Sequence, residues 1–262
     1  MQALSPMERT ALIERYAGKF PVEPLAYGTV RDYCDSCDHL PRLSTLQNDL
    51  KDLQRPWTVK AALGLLPPGS RLLEIGAGQP LVAAFLAELG YDVTVIDPYD
   101  GSGGGPTEVE NFMQLYPNIR IIRDQFRLGV PQLKHETFDG IYSISVLEHL
   151  HEPALGALFQ AVSVHLRHRG RSFHSVDCVT QGIGAAYHFE QCCRILAYQC
   201  EITCKSFAAG SKELAELFDK ASGDLETCYL SAAGHNLWRA GAAYETFPFR
   251  KVLSFQTAAE AQ

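Results

Sequence analysis

The sequence predicts an α/β protein built on a doubly wound, mostly parallel sheet of seven strands. Three observations lead there. Between Arg71 and Val179, short β-branched apolar runs alternate with segments of helical spacing. A glycine pair, Gly76 and Gly78, stands where the first run gives way to a helix, and an acid, Asp97, closes the next run. Strands and helices alternating at this length imply parallel strands joined by right-handed crossovers.

The chain has 262 residues, 46% hydrophobic and 20% charged. That suits one α/β core with an accessory segment better than two domains. The net charge of -7 is opposite to the basic excess that neutralises phosphates, so no nucleic-acid partner is expected. The densest basic run, residues 165–171, reads as the end of a helix, where cations meet the negative pole. No stretch approaches the roughly 20 apolar residues of a membrane span. The charged amphipathic N-terminus lacks the apolar core of a secretory signal. A cytoplasmic protein with no membrane partner is expected. The eight cysteines then read as reduced thiols, with Cys192 and Cys193 as packing residues. Cys34, Cys37 and His39 look like half a zinc knuckle. A structural zinc site needs four ligands, and no second Cys-x-x-Cys follows, so no metal is expected.

Residues 1–66 read as a helical accessory segment, a candidate lid, and residues 67–262 as the main domain. Ser5, Pro6 and Glu8 start a helix carrying Leu12, Ile13, Tyr16 and Ala17, ended by Pro21 and Pro24. A second helix starts at Ser44 and carries Leu46, Leu50 and Leu53. Arg55-Pro56 breaks it, and residues 57–66 form a third. Pro67-Pro68-Gly69 marks the boundary. Strands are then expected at 71–75, 92–96, 119–123, 138–145, 171–179, 226–231 and 250–255. Helices are expected at 80–89, 107–116, 153–166, 186–200 and 212–221, with a flexible loop over 100–106.

The chemistry concentrates in Leu72-Leu73-Glu74-Ile75-Gly76-Ala77-Gly78-Gln79-Pro80. A Gly-x-Gly turn without Cβ atoms lets the backbone approach a ligand closely. The first crevice of an open parallel sheet is where a nucleotide sits, and Asp97 is placed to accept both hydroxyls of a ribose. Gln79, Pro80 and Leu81 follow the glycines, so the third glycine of the dinucleotide fingerprint is missing. No Walker loop is present either. Glu74 would repel a pyrophosphate and suits a ligand with a cationic amino-acid end.

These segments resemble the class I, Rossmann-like S-adenosylmethionine-dependent methyltransferases. LLEIGAGQP resembles their motif I, VIDPYD their ribose-binding strand end, IIRDQF their adenine-contacting segment, and FDGIYSISVLEHLHEP their fourth-strand motif. The resemblance covers roughly residues 60–180 and implies S-adenosylmethionine as the cofactor. It places Gly76, Ala77 and Gly78 along the methionine end, with Glu74 holding the turn or a water near the amino group. It puts Asp97 and Pro98 at the ribose and Asp124 at the adenine amino group, with Gln125 and Phe126 beside the ring. Ser145 and Val146 close the pocket near the sulfonium. Some relatives, among them small-RNA 2′-O-methyltransferases and ubiquinone-pathway O-methyltransferases, use Glu-x-x-Glu-His with a divalent metal. Here Ser145 stands at the first Glu, ahead of Glu148 and His149, which removes a ligand.

Methyl transfer needs an aligned acceptor and, for a hydroxyl, a base. Histidine suits that task because its pKa is near neutral. His149 lies at the mouth of the fourth strand, His188 just past the fifth, and His235 in an aromatic late segment. The expected acceptor is a small molecule, methylated on oxygen, with nitrogen or carbon as alternatives. No Asn/Asp-Pro-Pro-Tyr/Phe motif follows the fourth strand, which weakens a nucleic-acid reading. A non-catalytic cofactor-binding protein is the other alternative, and a homodimer is open. Tyr27, Tyr33, Trp57, Trp238, Tyr244 and Phe247 are candidates to cover the acceptor, and Arg31, Arg42 and Arg239 to recognise an acidic group.

Overall fold

The computed structural model describes residues 3–47, 49–102 and 105–262. The loop expected over 100–106 lies partly outside the described residues, at 103 and 104. The chain begins with α1 (Pro6–Tyr16), a three-residue strand β1 (Leu25–Tyr27), α2 (Val30–His39), α3 (Pro41–Ser44) and α4 (Lys51–Leu65). The alternating run follows: β2 (Arg71–Ile75), α5 (Leu81–Glu88), β3 (Asp92–Asp97), α6 (Val109–Leu115), β4 (Arg120–Arg123), β5 (Phe138–Ile144), α7 (Ala154–His165) and β6 (Leu166–Gln181). The chain ends with α8 (Ala185–Thr203), α9 (Phe207–Gly223), α10 (Ala232–Trp238) and β7 (Lys251–Glu260).

The Ser5 start holds: its hydroxyl accepts from the Glu8 N–H while the Glu8 carboxylate accepts from the Ser5 N–H at 2.8 Å, a reciprocal cap. The break expected at Arg55-Pro56 does not occur, and α4 runs through it as one helix. Every residue from Asp52 to Leu63 is buried. Packing on all sides outweighs the hydrogen bond that Pro56 cannot make. Helix α2, which the sequence reading missed, has the polar composition VRDYCDSCDH and is fixed by a Thr29–Asp32 capping box.

The sheet order is β1-β7-β6-β5-β2-β3-β4. Strands β2 to β6 are mutually parallel, and β7 runs antiparallel to both β6 and β1. The seven-stranded, mostly parallel sheet is therefore as expected, but one member differs. Residues 226–231 make only isolated bridges, Thr29–Thr227 and Tyr229–Leu253. The edge beside β7 is taken by β1 from the N-terminus, whose Leu25 to Tyr27 pair with Thr257 to Phe255. The basic run is also corrected. Leu166 to Arg171 begin β6, where Arg167 pairs with Asp139 and Arg171 with Glu260, so these cations do not cap a helix.

One face of the sheet carries Leu72, Val93, Val95, Tyr142 and Phe173 against Leu12, Trp57, Val82 and Phe85 of the N-terminal helices and α5. The other carries Leu73, Ile75, Ile141, Val176 and Phe255 against Phe159 of α7, Ile195 of α8 and Leu214 of α9. The first 66 residues thus supply an edge strand and a covering helix and are integral to the sheet. Lys60 of α4 pins α2 onto this layer. Its buried ammonium lies 3.1 Å from both Asp35 Oδ2 and Ser36 Oγ. Among the described residues, no helix is long and apolar enough to cross a membrane.

Candidate functional site

The C-terminal ends of β2, β3, β5 and β6 open on one side of the sheet, as parallel packing requires. At the end of β2 the chain turns through Gly76 (φ +65°) and Gly78 (φ +53°), with the Gly76 N–H donating to the Ile96 carbonyl at 2.9 Å. A Cβ on Gly76 would stand 2.8 Å from Val146 Cγ2, so both the conformation and the space require glycine. Asp97, at the end of β3, accepts from the Gly78 N–H at 2.9 Å and from the Tyr99 N–H at 2.8 Å. Each carboxylate oxygen takes one backbone donor and keeps a lone pair. The backbone thereby fixes an acceptor group beside the glycine turn, suited to a vicinal diol.

Glu74 lies beneath the turn. It is buried and accepts from the Tyr142 hydroxyl at 3.0 Å. Burial pushes its pKa up to about 7, against the Tyr142 hydrogen bond and the positive charge of Arg55. Arg55, from α4, reaches Gln47 Oε1 with Nη2 at 3.4 Å, while its buried Nη1 has no partner among the described residues. An orphaned guanidinium nitrogen close enough to act on Glu74, beneath the glycine turn, fits a ligand bearing a carboxylate.

Ser145, after β5, has a left-handed backbone (φ +53°), sparsely populated by non-glycine residues and often found where function demands it. Its hydroxyl is 3.3 Å from Gln54 Oε1 of α4, and Gln54 Nε2 donates to Asp177 Oδ1 of β6 at 2.9 Å. The Asp177 N–H donates to Glu148 Oε1 at 2.8 Å. Glu148 Oε2 is buried without a partner among the described residues. Burial first, and the Asp177 carboxylate second, push the Glu148 pKa up to about 8. Burial also raises that of Asp177. Two carboxyls this close in a low dielectric favour holding a proton.

The candidate histidines separate. His188 Nδ1 lies 3.0 Å from the Asp177 carbonyl. A carbonyl only accepts, so Nδ1 carries the proton and Nε2 keeps its lone pair. Burial lowers the pKa of His188, the Asp177 backbone opposes this, and Arg250 and His149 add to it. His149 is exposed in the short turn after Ser145, near Asp177 and Lys51. His235 is buried, stacks on Phe249 at 4.6 Å, and accepts from the Arg250 N–H through Nε2 at 3.2 Å. Its accepting nitrogen is therefore engaged, and it serves as a clasp.

Other expected residues fall as follows. Ala77 lies within the turn, and Pro98 follows Asp97, both half-buried. Asp124 follows β4, half-buried, accepts from the Gln125 N–H at 2.7 Å and lies 3.6 Å from Arg127. Gln125 is exposed, whereas Phe126 packs in the core beside His165 and supports the segment from below. Trp57 and Tyr27 are core residues, so they do not cover an acceptor. Arg31 pairs with Glu226, Arg42 with Glu88, and Arg239 with Asn236. Gln54, Arg55, Asp177 and Arg250 were missed by sequence reading. Only the structure brings them to the crevice, and no local motif marks them. Among the described residues no cluster could hold a metal ion. Two surface depressions, of about 270 Å³ beside α9 and 70 Å³ beside Tyr116, lie away from this crevice and gather no comparable groups.

A protein-family model described as a methyltransferase domain matches residues 46–223. No curated protein matches the chain. Among solved structures, TehB from Haemophilus influenzae is 22% identical over 47% of this chain and 41% of its own, with a TM-score of 0.38. A TehB-like SAM-dependent methyltransferase from Corynebacterium glutamicum is 17% identical over 87% and 98%, with a TM-score of 0.42. A putative sarcosine dimethylglycine methyltransferase from Galdieria sulphuraria is 17% identical over 79% and 84%, with a TM-score of 0.40. The chain thus spans less than half of the Haemophilus protein.

Proposed function

The chain belongs to the methyltransferase-domain family of S-adenosylmethionine-dependent enzymes, and on that premise we propose that it methylates a hydroxyl of a small molecule. The observation that carries the oxygen-directed reading is His188, whose Nδ1 is bound to the Asp177 carbonyl and whose Nε2 is left as a base at the end of β6.

The cofactor supplies a methyl group already activated by a sulfonium. Gly76 and Gly78 would give the cofactor backbone contact, Arg55 would receive its carboxylate, Asp97 would take its ribose hydroxyls, and Asp124 would face the adenine. Beside that methyl group, His188 Nε2 would take the proton of the acceptor hydroxyl, with Nδ1 held by the Asp177 carbonyl. Ser145, Gln54 and Asp177 form a rigid chain that sets the acceptor against the β5 end, the positioning that lowers such a barrier most. An amine acceptor, once neutral, needs no base in the transfer step, so the oriented imidazole favours oxygen over nitrogen.

The test is transfer of labelled methyl from S-adenosylmethionine to a panel of small phenols, alcohols and amines. Label appearing in ether products supports the reading. Transfer confined to amines would replace it with an N-directed one. With a net charge of -7, the protein is proposed to act in the cytoplasm on no nucleic-acid or membrane partner.

A further inference from the structure

Two sequence-distant segments, residues 182–188 and 247–250, meet at the outer end of β6 and β7. Gly182 and Gly184, with φ of +95° and +94°, bend the chain after β6 around Arg250, the residue that precedes β7. A Cβ on Gly182 would stand 2.9 Å from the Arg250 Cβ. One on Gly184 would touch His188 Cδ2 at 3.7 Å and Arg250 Nη1 at 3.9 Å. The guanidinium and the imidazole therefore flank the same glycine.

Arg250 is also held. The Phe247 ring lies 4.5 Å from its guanidinium, and His235, stacked on Phe249, accepts from its backbone N–H. Yet its Nε is buried without a partner, and no carboxylate pairs with it among the described residues. The other arginines named for acid recognition all have partners within the chain. A fixed, half-buried guanidinium with an orphaned donor is costly unless an anion completes it.

Resting on the methyl-transfer reading above, we infer that the acceptor carries a carboxylate, which Arg250 binds beside His188. The guanidinium fork holds the acid end in two parallel hydrogen bonds and so orients the hydroxyl toward the base. This narrows the substrate class to small hydroxy acids and gives the aromatic segment before β7 a role in holding Arg250.

The probe is benzoate, a small carboxylate with a ring to lie against Phe249, and benzamide is the neutral control. Arginine side-chain Nε–Hε signals are followed by NMR during titration, with and without S-adenosylhomocysteine. One signal, absent from Arg250→Gln, is expected to shift saturably with benzoate and not with benzamide, together with the His188 ring. Benzoate affinity should fall about tenfold or more in Arg250→Gln, the scale of a lost charge-assisted pair. A signal that stays in place, or one that responds equally to benzamide, overturns the proposal. Binding of S-adenosylhomocysteine is measured separately by calorimetry and should be equal in both proteins. If it binds while benzoate does not, only the carboxylate inference falls. If it does not bind, the methyl-transfer reading falls, and the benzoate result still stands or fails on the same Arg250 signal.

Discussion

Gln54 Nε2 donates to the Asp177 carboxylate at 2.9 Å, tying α4 to the end of β6 across 123 positions of sequence. The same amide meets the Ser145 hydroxyl through its oxygen. The N-terminal third therefore builds part of the proposed acceptor end. Gln54→Ala should reduce kcat/KM for the acceptor about tenfold or more, since it leaves a half-buried carboxylate short of a donor. Cofactor affinity should be unchanged. A loss of cofactor affinity equal to the loss of turnover would show that Gln54 serves the other end.

His188→Ala should lower kcat by about 100-fold or more, the usual scale for a general base, while His149→Ala should cost much less. Burial holds the His188 pKa below its ordinary 6.5. The base needs the neutral imidazole, so the acid limb of kcat/KM should fall below that value. Rate profiles of the wild type and both variants between about pH 5 and 9 test this. An acid limb retained in His188→Ala would move the role elsewhere.

Glu148 tilts stability with pH. Its pKa is raised from 4.5 to about 8 in the folded protein. Its contribution is full below the unfolded value and is lost as pH rises toward 8, at up to about 1.4 kcal/mol per pH unit. Glu74, raised to about 7, tilts the same way. Burial drops the pKa of His174, between Ser143 and Ser172, to about 3, so its contribution is present above 6.5 and lost as pH falls. Glu148→Gln should shrink the drop in urea midpoint between about pH 5 and 8 without abolishing it. An identical drop would mean that Glu148 is ionised in the fold.

Lys60→Met should destabilise the protein by about 1–3 kcal/mol, because Asp35 and Ser36 lose a buried donor. Asp35 is partly open to water, which limits the cost. Equal urea midpoints would show that α2 is held by its apolar contacts alone.

The sheet and the glycine turn with its facing acid were legible because they are local. Gly76, Gly78 and Asp97 lie at strand ends that periodicity marks, and the structure joins them through the Gly78–Asp97 hydrogen bond. The proposed acceptor end was less legible. Ser145, His149 and His188 follow strand ends that periodicity marks, but Gln54, Asp177 and Arg250 come from α4, β6 and the residue before β7, which only tertiary packing brings together. The edge strand was misread for a related reason. Residues 226–231 have the β-branched and aromatic character of a strand, yet β7 pairs over Leu25 to Tyr27 instead. Pairing partners of an edge are set by topology, which composition does not encode.

The most direct measurement is calorimetric titration of S-adenosylmethionine into the wild type and Gly76→Ala, with circular dichroism to confirm that both fold. Binding to the wild type and at least a tenfold loss in the variant are expected, because a Cβ there meets Val146 at 2.8 Å in a left-handed turn. Equal affinity in a folded variant, or no binding to the wild type, would contradict the placement of the cofactor at this turn.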